Sequence, residues 1–264
     1  MRRPRDLRNS VAAPAFVALM TRTALIAALG ATFAVGPAEA AEEQQSPWAV
    51  TVGAGAIAAP EYPGSASLRI LPLPLIDVRY GNRFFLSPLG TGVNLIADRE
   101  LRLGVSVMPE LGRTADAARR LGRIGPAAEA KLFAETSTGP MGFVADVRHQ
   151  LGGADGTLID AGVQTQVPLP GLFVTANALL TWADGEAMRS YFGAPPSGPG
   201  LSSFTPGAGL QQASVSLMAF HLFDPHWGAQ VMARAAVLLG DAAASPVVER
   251  KVQPSFGGFL TYRI

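Results

Sequence analysis

From residue 48 to the end, the chain alternates apolar and polar residues in blocks about ten residues long. A period of two sends successive side chains to opposite faces and marks a strand, not a helix. Residues 100–111 give the cleanest case: Leu101, Leu103, Val105, Val107 and Leu111 share one face, and Glu100, Arg102, Ser106 and Glu110 the other. The same pattern predicts strands over 48–58, 68–80, 83–88, 92–97, 127–136, 141–151, 157–167, 172–182, 210–222, 227–239 and 252–264. That makes twelve, or ten if the short pair over 83–97 does not form. A strand crossing a bilayer at a tilt needs roughly nine to eleven residues, so these lengths fit a membrane barrel.

Connection lengths point the same way. With both termini on the periplasmic side, every second connection faces the periplasm, where barrel turns are short. Those connections are 81–82, 98–99, 137–139, 168–171 and 223–225, all rich in Gly, Asn, Asp or Pro, which favour turns. The alternate set includes the long segments 59–67, 112–126, 183–209 and 240–251; only 89–91 and 152–156 are short among them. A soluble sandwich has no reason to sort its loops by parity.

Composition decides which face meets which solvent. Charged residues are 16% of the chain, and only two lysines, Lys131 and Lys251, follow residue 40. One face of the strands is almost wholly aliphatic or aromatic. The other collects Asp77, Arg79, Arg102, Glu129, Lys131, Asp146, Arg148, Arg234 and Arg263 together with Gly, Ser and Gln. An arginine or lysine facing lipid at the bilayer midplane costs about 2–4 kcal/mol. The sequence therefore predicts apolar faces turned to lipid and a polar network in a closed lumen. Asp77 with Arg79, Glu129 with Lys131, and Asp146 with Arg148 are neighbours two apart on one strand face, either filling the interior or lining a narrow pore. Trp48, Tyr80, Trp182, Trp227 and Tyr262 fall near strand ends in the apolar phase, where a membrane-interface belt sits.

The N-terminus supplies the route. Residues 20–41 read as a basic residue, an apolar stretch from Ala24 to Val35 and the Ala38-Glu39-Ala40 cleavage pattern of a secretory signal. Cleavage is expected after Ala40, leaving 41–264 as the barrel domain, and Met20 would suffice as a start. The Arg2-Arg3 pair lies too far from the apolar stretch for a twin-arginine signal. The first forty residues hold five arginines against Asp6 and Glu39, so of 21 basic and 20 acidic residues 16 and 18 remain, near −2. No basic stripe is left for nucleic acid. There is no cysteine, which removes disulfides and thiolate chemistry. His149, His221 and His226 have no Ser or Asp in triad order, and no metal-ligand spacing occurs. The sequence thus predicts neither enzyme activity nor a cofactor nor a metal.

The final block, 252–264, carries Phe256, Leu260 and Tyr262 in one phase and ends inside its own strand, as the C-terminal assembly signals read by the barrel-assembly machinery do. With "GAGAIAAPEYPGS" (53–65), "PLPLIDVRYGNRFFLSPLGTGVNL" (72–95), "RSYFG" (189–193) and "LLGDAAASPVV" (238–248), the chain resembles the MltA-interacting protein family, MipA/OmpV. It departs from the pattern in its terminal isoleucine and in the short segment between 151 and 157. The resemblance implies an all-β, transmembrane antiparallel barrel in the outer membrane of a Gram-negative bacterium, surrounded by outer-membrane lipid. It further implies a structural protein that organises a murein hydrolase or synthase; the alternative is a permeability factor. Partners would meet 41–47 and the turn tips at 81–82, 98–99 and 223–226.

Overall fold

A computed structural model describes residues 46–88, 90–110, 112–113, 123–194 and 203–264. The signal segment, the lead-in up to residue 45 and residues 195–202 of the longest loop lie outside that description. Twelve strands close into one antiparallel barrel in chain order, with the first pairing the last. They are β1 (Trp48–Pro60), β2 (Leu68–Tyr80), β3 (Phe84–Ser87), β4 (Gly90–Ala97), β5 (Leu101–Glu110) and β6 (Ala127–Thr136). The circuit continues with β7 (Met141–Leu151), β8 (Thr157–Leu169), β9 (Leu172–Ala183), β10 (Gly209–Leu222), β11 (Trp227–Leu238) and β12 (Val252–Arg263). A short helix, α1 (Gly185–Phe192), follows β9, and a single turn, α2 (Gly240–Ala244), follows β11.

Alternation fails to set strand ends only where proline, glycine or a turn intervenes. β1 runs two residues past the predicted end at Ala58, and β8 carries on through Pro168 to Leu169. β4 starts at Gly90 instead of Gly92, and β3 has four residues. The β3–β4 hairpin closes through the Ser87↔Gly90 pair, and Ser87 Oγ donates to the Gly90 carbonyl.

Burial is inside out. Val107 is 46% exposed and Leu132 49%, whereas Glu129 is 4% and Asn177 2%. Hydrophobic burial drives a soluble core, but in lipid the aliphatic side needs no cover, and the backbone must find its partners within the sheet. Closure supplies them around most of the wall. The closing seam runs from Thr51↔Arg263 to Ala58↔Phe256. Gly55 is needed there: a Cβ on it would stand 2.0 Å from the Gly258 carbonyl oxygen and 2.5 Å from the Phe259 ring, which lies over the seam. The lumen is also less polar than the pattern suggests, because Leu75, Phe133, Met218 and Phe259 are buried inside it.

Candidate functional site: a stoppered, charge-lined lumen

Arg148 holds together the largest ion cluster in the lumen. Its guanidinium reaches three strands: Nη2 lies 2.7 Å from Asp160 Oδ2, Nη1 3.2 Å from Glu129 Oε2, and Nε 3.4 Å from Asp146 Oδ1. β6, β7 and β8 bring these groups together, since Glu129↔Gln150 and Asp146↔Asp160 are register pairs. Lys131 Nζ pairs with Asp146 Oδ2 at 2.9 Å, so Lys131 joins the neighbouring strand's acid and not Glu129 on its own strand. Thr181 donates a hydroxyl to Asp160. An arginine has a rigid fork of five donors, which suits it to holding several carboxylates at once.

Two further ion pairs lie toward the short-turn end. Arg102 Nη2 meets Glu135 Oε1 at 2.6 Å, with its guanidinium 5.4 Å from the centre of the Phe133 ring, and Arg79 Nε meets Asp77 Oδ1 at 3.0 Å. They line a cavity of about 290 Å³ rimmed by Gly81, Asn82 and Asp98. Short turns place that rim on the periplasmic side. Arg234 occupies the lumen phase of β11 between Ser216 and Ser255 and has no ion pair within 4 Å among the described residues. Arg263 shares the lumen phase of β12 but stands exposed at its mouth. Asp160, Glu135, Glu110 and Gln150 also belong to the lumen lining, and alternation alone identifies them.

The opposite mouth is closed by α1, for which periodicity gave no signal. Asp184 caps the helix, accepting from the Glu186 and Ala187 N–H groups, and it also accepts from Thr157 at 2.8 Å. Slight burial would raise this carboxyl, but the Ala187, Thr157 and Glu186 donors outweigh that and hold it below the usual range. Its support for the helix is therefore present above the ordinary aspartate value and fades as pH falls through the lowered one. Ala187, Met188 and Phe192 are fully buried against Ala154, Leu158, Ala183, Leu238 and Ala242. Tyr191 then reaches into the barrel: its hydroxyl donates to Glu110 at 3.1 Å and accepts from Gln150 at 2.8 Å. Burial, followed by the Glu110 charge, raises the Tyr191 phenol, so it stays protonated and donating. Arg113 donates to the Tyr191 carbonyl and Ser245 to that of Phe192. Tyr191→Phe keeps the packing and leaves Glu110 and Gln150 short of a partner, so it should loosen α1 by about 1–3 kcal/mol. Faster amide exchange across 185–192, with the strands unchanged, is the expected reading.

The aromatic residues gather at one end. Trp48 stacks tilted on Tyr80 at 4.8 Å, and Trp227 meets Tyr262 edge-on at 5.1 Å. All four stand at the short-turn ends of β1, β2, β11 and β12, whereas Trp182 stands at the long-loop end of β9.

The family model described as MltA-interacting protein MipA matches residues 52–264, which takes in β1 from Val52 and the whole of β2 to β12. The chain belongs to that family. It is an outer-membrane protein of a Gram-negative bacterium, and a closed barrel with an apolar exterior is one of the two structures able to span a bilayer. No curated protein matches the chain. Among solved structures, the chain is similar to a CymD monoaromatic hydrocarbon channel at 9% identity and a TM-score of 0.40, over 83% of this chain and 88% of that one. It is similar also to OmpT of Vibrio cholerae, at 9% identity and a TM-score of 0.34 over 85% and 100%. For OprD of Pseudomonas aeruginosa the figures are 12% and 0.36 over 85% and 66%.

Proposed function

We propose that this family member is a non-catalytic scaffold: a barrel fixed in the outer membrane that organises murein-remodelling enzymes on its periplasmic side. The family's description as MltA-interacting supports a murein enzyme as partner. The observation that carries the reading is the stopper. α1 and its Tyr191–Glu110–Gln150 contacts cover the outer mouth, and the Arg148 cluster ties β6, β7 and β8 together on the inner wall beneath it. A barrel covered in this way offers its inner rim for contact, which carries the tips at 81–82, 98–99 and 223–226, the last with an exposed Phe223. The gathering of Trp48, Tyr80, Trp227 and Tyr262 supports an aromatic belt that fixes the depth of this rim. Crosslinking in intact cells tests the reading, with capture of a murein hydrolase or synthase expected. Loss of that capture on deleting residues 41–46 would assign the contact to the lead-in.

A second reading, a narrow pore, is favoured by the charged cavity between Asp77, Arg79, Arg102 and Glu135. Planar-bilayer recording separates the two. The stoppered scaffold should give no stable, ion-selective steps, and regular steps would favour the pore.

A further inference from the structure

The barrel wall is not equally high all round. Between β2 and β5 stand only the four-residue β3 and the eight-residue β4. β3 pairs with β2 at Val78, Arg79 and Tyr80 alone, and β4 reaches β5 no farther than Val107. From Leu68 to Asp77, β2 is paired with β1 on one side and, among the described residues, with nothing on the other. A bare edge inside hydrocarbon is costly, since each N–H and C=O turned outward lacks a partner.

The sequence lowers that cost at this edge. Gly81 N–H donates to Pro47 on the β1 side, while Arg83 N–H donates to the Tyr80 carbonyl on the β3 side. Alternate residues of an antiparallel strand address opposite neighbours, so the even-numbered residues of β2 turn their backbone to the bare edge. Two of them are Pro72 and Pro74, which have no N–H to leave unpaired. Pro109 stands in the facing stretch of β5, beyond Val107. Prolines on an edge also discourage another strand from adding there, which argues against a second copy as the occupant.

On the inner face of the same edge the lining is aliphatic. Leu71, Leu73 and Leu75 take the lumen phase of β2, with Leu75 buried, whereas Ile70 and Ile76 face outward and are exposed. We propose that the gap between β2 and β5 is a lateral portal through which an acyl chain of a membrane lipid enters the barrel and lies against Leu71, Leu73 and Leu75. The occupant follows from position: the bare edge continues the lipid-facing belt of Ile70 and Ile76, and its only charged side chains are at its two ends, Arg69 near the outer end and Asp77 where the pairing with β3 begins.

Because the chain contains no cysteine, one nitroxide can be attached at a time to the otherwise unaltered protein in lipid vesicles. The label is placed on Leu73→Cys, with Ile70→Cys as the lipid-facing reference and Leu179→Cys as an inward reference on β9, which is paired on both sides. The portal predicts that the label at 73 collides with lipid-dissolved oxygen almost as often as the label at 70, severalfold more than at 179, and broadens in the presence of nitroxide-labelled acyl chains. Shielding equal to that at 179 would overturn the proposal. Preferential collision with a water-soluble nickel chelate would do so too, by showing a water-filled interior. Leu71→Cys repeats the measurement one inward position away if the first variant fails to insert.

Discussion

Arginine in place of Val105 should prevent or strongly weaken insertion. Val105 lies mid-strand on β5, 42% exposed, opposite Val93 and Leu132. In a bilayer its neighbours are acyl chains, and an arginine near the midplane costs about 2–4 kcal/mol, a large share of the stability of any single domain. Denaturant titration of the protein folded into vesicles should show that loss. Val105→Ile, which keeps the apolar surface, should leave the midpoint almost unchanged. If Val105→Arg inserts as well as the parent, the orientation of the whole barrel is wrong.

Arg148→Met should be the most damaging change inside the lumen. It removes the cation shared by Glu129, Asp146 and Asp160 and leaves Lys131, on Asp146, as the one cation paired with any of them among the described residues, beside the neutral donors Thr181 on Asp160 and Gln150 on Glu129. Breaking a buried ion cluster from one side costs about 3–5 kcal/mol, because the charges left behind are neither solvated nor paired. Arg148→Lys should lose less but not nothing, since an ammonium is a point charge and cannot fork across three carboxylates. Adding Asp160→Asn to Arg148→Met should recover part of the loss by removing one stranded charge. A single-variant loss within about 1 kcal/mol, the scale of an exposed pair, would show the cluster to be solvated.

These two variants separate the two faces of one wall. The outer face is governed by the exclusion of charge from hydrocarbon and the inner by the pairing of charges in a crowded interior. The same wall leaves an open end and a shut end, and a scaffold and a pore would use those ends differently. The periplasmic cavity keeps its paired charges near the short turns, while the outer mouth is filled by packed side chains of α1.

Alternation by itself determined the strands, the parity of the loops and which side chains turn inward. Each of these depends on the two-residue period of an extended chain and on whether a residue can sit in lipid. Asp77, Arg79, Arg102, Glu129, Lys131, Asp146 and Arg148 therefore stood out before any fold was known. Partner choice did not, because pairing depends on which strands become neighbours and in what register. Lys131 turned from Glu129, two residues away, to Asp146, fifteen residues on, because β6 and β7 set Lys131 opposite Arg148 and beside Asp146. Tyr191 stood out only as part of the RSYFG stretch, with no partner assigned, since its role exists only once α1 folds over the mouth and meets Glu110 and Gln150. The low wall at β3 was likewise a tertiary outcome. "PLPL" reads as an ordinary strand until the neighbouring hairpin stops four residues up, and only then do the missing N–H groups of Pro72 and Pro74 mark an edge built to stay unpaired.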